Sequence, residues 1–86
     1  MKPLERQLKA LANEKRLLLL KELKRGKSVS VSDLAQAIHL SLRSTSKHLA
    51  ILASIGVVES RRRGMSVFYR LSLDQHPPVN QVLQLL

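Results

Sequence analysis

Three arginines in succession, Arg61-Arg62-Arg63, run into Gly64. Some fifteen residues earlier, Arg43, Ser44, Ser46, Lys47 and His48 crowd one short segment. Guanidinium and ammonium groups neutralise phosphates, and arginine alone can also bond guanine through two parallel N–H donors. Serine hydroxyls serve base edges or phosphate, and a protonated histidine adds one more cationic donor. A phosphate beside His48 would favour that protonated form. The chemistry open to this set is anion recognition, with a nucleic-acid duplex as the natural polyanion.

Other chemistry is poorly supplied. There is no cysteine, hence no disulfide, thiolate nucleophile or Cys-based metal site. The three glycines, at 26, 56 and 64, are too dispersed for a phosphate-cradling loop or a nucleophile elbow. Asp33, Asp74 and the three histidines form no paired acid and base at a readable spacing, so the sequence does not read as an enzyme. Phe68 and Tyr69 are the only aromatics, too few for base stacking along a single strand. The longest apolar run, Leu17 to Leu20, cannot span a bilayer, and the first residues lead into no signal core. The expectation is a cytoplasmic protein with no membrane partner and no cofactor.

Eighty-six residues make one domain at most, expected over 1–86. With 44% hydrophobic residues the chain can offset the entropy of ordering a small core. Fifteen Lys and Arg against six Asp and Glu give a net charge of +9. That excess on so small a body concerns partners rather than fold. It sits in two blocks: nine basic and three acidic side chains in residues 1–27, then six and one in 41–70.

The elements that must carry these groups are legible from periodicity. Leu4, Leu8 and Leu11 make one stripe of a first helix, about 3–11, with Pro3 in its opening turn. Asn13 caps a second helix holding Leu17 to Leu20 and Leu23, stopped by Lys24-Arg25-Gly26. Four successive leucines exceed one stripe, so this helix is expected to be central. Ser28-Val29-Ser30-Val31 alternates as a short strand. Ser32 then reads as the cap of a third helix, with Leu34, Ala35, Ala37 and Ile38 as its buried face. After the turn His39-Leu40-Ser41, Ser41 or Ser44 caps a fourth helix running to about Ile55.

At about 100° per residue, with Leu49 inward, Leu42, Thr45, Leu52 and Ala53 fall on the core side of that helix. Arg43, Ser44, Lys47, Ile51 and Ser54 point away, His48 lies to the side, and Ser46 flanks the core at the helix start. Beyond Gly56 the period changes to two. Val57 to Arg61 and Ser66 to Leu71 read as strands, with Arg62-Arg63-Gly64-Met65 between them. Val79, Val82, Leu83 and Leu86 stripe a last helix, about 78–86.

The order helix, helix, strand, helix, helix, hairpin, helix describes a mainly α winged helix-turn-helix with a small β-hairpin wing. The fourth helix would enter the major groove, and the hairpin would reach phosphate beside it. The expected DNA contacts are Arg43, Ser44, Ser46, Lys47, His48, Arg61, Arg62 and Arg63. The competing reading keeps the fold but uses it for protein–protein assembly, with DNA binding lost.

Several motifs in this order resemble the ArsR/SmtB family of winged-helix repressors. They are Leu8-Lys9-Ala10-Leu11-Ala12-Asn13-Glu14-Lys15-Arg16-Leu17, Val31-Ser32-Asp33-Leu34-Ala35, Ser44-Thr45-Ser46-Lys47-His48-Leu49 and Gly56-Val57-Val58. Arg61 to Gly64 and Tyr69-Arg70-Leu71 complete the set. The resemblance covers roughly residues 8 to 73. It implies a homodimer that binds a palindromic operator, with first and last helices packed across the two-fold axis. Leu4, Leu8, Leu11, Val79, Val82, Leu83 and Leu86 are then the expected dimer interface. Short terminal helices are marginal alone and must bury such stripes somewhere.

Two departures bear on regulation. The family's arsenic-type site needs Cys-x-Cys where this chain has Ser30-Val31-Ser32, which offers no soft ligand. Its other common site starts with Asp-x-His near the last helix, matched by Asp74-Gln75-His76, but the two further ligands are missing by Leu86. No metal is expected unless a partner chain completes that pair.

Overall fold

The structure is a computed structural model that describes residues 1–26 and 28–86. Its elements are α1 (Lys2–Leu11), α2 (Glu14–Leu23), β1 (Val29–Ser30), α3 (Val31–Ala37), α4 (Leu42–Ser54), β2 (Val58–Arg63), β3 (Ser66–Leu71) and α5 (Val79–Leu85). This is the helix and strand order that periodicity predicts, with some boundaries moved.

The helix starts follow side-chain caps. The Asn13 side chain accepts from the Arg16 amide at 3.1 Å, opening α2. Ser41 accepts from the Ser44 amide at 3.1 Å, so Ser41 rather than Ser44 opens α4. The cap of α3 is Ser30, which accepts from the Asp33 amide at 3.1 Å, not Ser32. Val31, predicted to end the strand, is therefore the first residue of α3 and is buried, while Ala37 is exposed. Both serines precede an apolar helix, and pairing decides between them: only Val29 and Ser30 bridge to β3.

Three antiparallel strands lie in the order β1-β3-β2. The hairpin turn is shorter than expected. Arg63 pairs with Ser66, leaving Gly64 and Met65 as a two-residue loop. Gly64 has φ +58° and Met65 does not share that sign, the pattern of a II′ hairpin. Arg62 and Arg63 thus belong to a strand rather than to a loose tip.

Leu19, Leu20 and Leu23 of α2 join Leu34, Leu49, Leu52 and Val57 in the fully buried centre. Each such leucine contributes about 1.5–3 kcal/mol by leaving water. Val67, Tyr69 and Leu71 pack on this core from one face of β3, as alternation requires. Among the described residues no helix is long and apolar enough to cross a membrane.

Candidate nucleic-acid interface

Helix α4 is anchored by Thr45, Leu49 and Leu52, all fully buried. Arg43 and Lys47 on its opposite side are exposed, Ser44 there is half-buried, and Ser46 on its flank is exposed. No acidic residue sits in its first turn, so the positive end of the helix dipole adds to Arg43. Leu42, expected on the core side, is 55% exposed. It is the first residue of α4, ahead of the turn that packs. There it borders a depression shared with Ser32, Ala35, Gln36, His39 and Leu40. His39 holds the turn between α3 and α4 at φ +55°, a left-handed conformation histidine tolerates better than most residues.

His48 is half-buried, and Arg16 of α2 donates from Nη1 to its Nδ1 at 3.1 Å. Burial lowers the His48 pKa below its ordinary value, and the positive charges of Arg16 and Lys15 push the same way. The free protein therefore favours neutral His48, opposite to the effect expected from a neighbouring phosphate.

The wing divides its arginines. Residues opposed across an antiparallel pair project to one face. Arg62 opposes Val67 on the face that meets the core, whereas Arg61 opposes Phe68 and Arg63 opposes Ser66 on the other. The Arg63 guanidinium lies 5.9 Å from the Phe68 ring centre, within cation–π range. On that outer face Arg70 bonds the Glu59 carboxylate at 2.9 Å through Nε and Nη2. This pair is visible only in the register.

The expected dimer residues also divide. Leu11, Val79 and Leu83 are buried within the protomer's own core, because the end of α1 and the inner side of α5 close over it. Val82 and Leu86 pack partly against that core. Leu4 and Leu8 remain 39% and 46% exposed, and Leu85, outside the expected stripe, is 85% exposed.

Periodicity gives no sign of the contacts made by Arg16 and Gln75. Arg16 reaches across 32 positions to His48. The Gln75 amide donates to the Val57 and Ser72 carbonyls, pinning the loop before α5. Periodicity does place Thr45 on the core side of α4, where it is buried, without foretelling that its hydroxyl has no hydrogen-bond partner among the described residues.

A family model described as HVO_A0114 matches residues 4–72. The transcriptional activator HlyU of Vibrio cholerae is 43% identical over 65 residues, 76% of this chain and 59% of its own length. The HTH-type transcriptional regulator NmtR of Mycobacterium tuberculosis is 39% identical over 64 residues, 74% of this chain and 52% of its own. The chain belongs to the ArsR/SmtB family.

This ArsR/SmtB chain spans little more than half the length of those two relatives. It superposes on the homodimeric winged helix-turn-helix DNA-binding domain of Mb0332 from Mycobacterium bovis. The TM-score is 0.81 at 33% identity, covering 98% of this chain and 74% of that one. The fold is thus a winged helix-turn-helix, with β2 and β3 as the wing. Where the family's arsenic-type site needs its first cysteine, this member has Ser30, already engaged as the α3 cap. Asp74 and His76 stand in the loop before α5, and the described residues hold no cluster of three or more His, Cys, Asp or Glu.

Proposed function

We propose that the chain is a sequence-specific double-stranded DNA-binding transcriptional regulator, a cytoplasmic repressor that binds a palindromic operator as a homodimer. The exposed Arg43, Ser46 and Lys47 on a capped, firmly packed α4 carry this reading. With Ser44 they form the polar face that a recognition helix presents to base edges. Arg61, Arg62 and Arg63 add phosphate contacts, and His48 adds one at the side of the helix.

The dimer surface is built from Leu4, Leu8, Val82, Leu85 and Leu86. Leu11, Val79 and Leu83 back it from inside the protomer. That the Mb0332 domain is homodimeric supports the pairing. These 86 residues supply no cysteine, so the proposed regulator is read without a Cys-based metal site in this domain. By occupying promoter DNA such a dimer excludes polymerase, which makes repression its simplest output.

Titration of a random duplex at several salt concentrations tests the reading. Binding should weaken with salt, the log–log slope growing by about 0.9 for each phosphate neutralised. Selection from random sequence should then return half-sites about one helical turn, roughly 34–36 Å, or a multiple apart. A folded protein with no salt-dependent duplex binding would overturn it and leave the protein-assembly reading.

A further inference from the structure

Arg16 uses every edge of its guanidinium. Nε donates to the Ala10 carbonyl, Nη2 to the Lys9 carbonyl at 3.4 Å, and Nη1 to His48 Nδ1 at 3.1 Å. The two carbonyls belong to the last turn of α1, where the helix itself leaves acceptors unpaired. In a continuing helix the Asn13 amide would reach Lys9, but here it bonds the Leu11 carbonyl instead. One side chain of α2 therefore closes the end of α1 and joins it to α4.

The bond to His48 also settles the state of the ring. Arginine has donors and no acceptor, so Nδ1 must accept and carries no hydrogen. The neutral imidazole then holds its hydrogen on Nε2, leaving that atom as a donor. Three acceptors in three directions match the rigid fork of arginine. A lysine ammonium on a flexible stem would not hold all three in one plane.

We infer that Arg16 is a positioning residue for DNA binding: it ties α1 to α4 and holds His48 in the tautomer whose Nε2–H can donate to the duplex. This rests on the reading of α4 as the DNA-contacting helix. The exposed Leu4 and Leu8 lie on α1, so the same tie fixes the angle between the proposed dimer surface and the proposed recognition surface.

The test compares wild type with Arg16→Lys, which keeps the net charge. Imidazole nitrogen NMR on the free protein should show His48 as the Nε2–H tautomer in wild type and as a mixture in Arg16→Lys. Affinity should fall about tenfold for each half-site in Arg16→Lys, the scale of one lost charge-assisted hydrogen bond, and so about a hundredfold for a duplex with two half-sites. The salt slope should be unchanged. His48→Ala should lose a similar factor, and the double variant little more, because the two groups act as one unit. An Nδ1–H tautomer in wild type overturns the inference, as does additive loss in the double variant. So does wild-type affinity in either Arg16→Lys or His48→Ala, and the folded one decides the question should the other fail to fold. Wild type failing to bind duplex would instead remove the DNA reading itself.

Discussion

Arg62 stands opposite Val67 in the hairpin, on the sheet face that packs onto the helices, while its neighbours Arg61 and Arg63 project from the other face. The arginine run is thus not one patch. Arg62 shares the sheet face that packs onto the helices, so on the proposed function it is the arginine of the run expected to contribute most to a duplex that receives α4. Arg62→Ala should weaken every duplex alike and make the salt slope shallower by about 0.9 for each protomer bound, about 1.8 for the dimer. Arg63→Ala should cost less, because its guanidinium is stacked on Phe68 away from α4. Fluorescence anisotropy on two unrelated duplexes at several salt concentrations separates these outcomes. A larger loss from Arg63→Ala would place the phosphate backbone on the outer face.

Most of this framework was legible because it is local. Asn13 and Ser41 announce their helices through the amide three residues on, and Gly64 announces the turn. What escaped is set by pairing at a distance. The extra length of β2 comes from Arg62 opposing Val67 and Arg63 opposing Ser66, and it sorts the arginines by face. Ser30 prevails over Ser32 because β3 offers partners only to Val29 and Ser30. The Arg16–His48 bond joins helices whose angle no periodicity encodes. The leucine and valine stripes of α1 and α5 mark apolar faces, but a stripe does not say which copy of the chain, if any, covers each residue. Leu11, Val79 and Leu83 turn out to be covered by their own protomer.

Thr45 is 0% exposed, and its hydroxyl has no hydrogen-bond partner among the described residues. An unpaired buried hydroxyl costs about 1–3 kcal/mol, and valine has nearly the same shape without it. Thr45→Val should therefore stabilise the fold by about 1 kcal/mol. Thermal unfolding should rise by about 4–8 °C in a chain of this size. The comparison is made at equal protein concentration, since dimerisation shifts the midpoint. A lower midpoint for Thr45→Val would mean that the hydroxyl is bonded in solution.

His48 gives stability a pH dependence of definite sign. Burial, Arg16 and Lys15 hold its folded pKa below the ordinary value, so the unfolded chain binds that proton more readily. Its contribution to stability is complete above about pH 6.5, the ordinary value for histidine, and declines as pH falls through and below it. Denaturant midpoints measured from pH 8 to 5 should drop for wild type and drop less for His48→Gln. An equal drop in both would assign the acid sensitivity to other groups.

Leu8 and Leu83 separate the two roles of the terminal helices. Leu8 is 46% exposed and leaves the core of α1 to Ala10 and Leu11, whereas Leu83 is only 7% exposed. A charge at position 83 lands in the protomer core, so Leu83→Asp should unfold the chain rather than divide the dimer. A charge at position 8 stays in solvent in the monomer and becomes buried only when copies pair. Leu8→Glu should keep its helical circular dichroism yet sediment as a monomer. It should lose about a hundredfold or more in affinity for a two-half-site duplex while holding a single half-site nearly as wild type does, because linkage between two bound modules is what disappears. A tight dimer of Leu8→Glu would move the interface off the exposed stripe of α1 and onto α5, where Leu85 is the most exposed leucine.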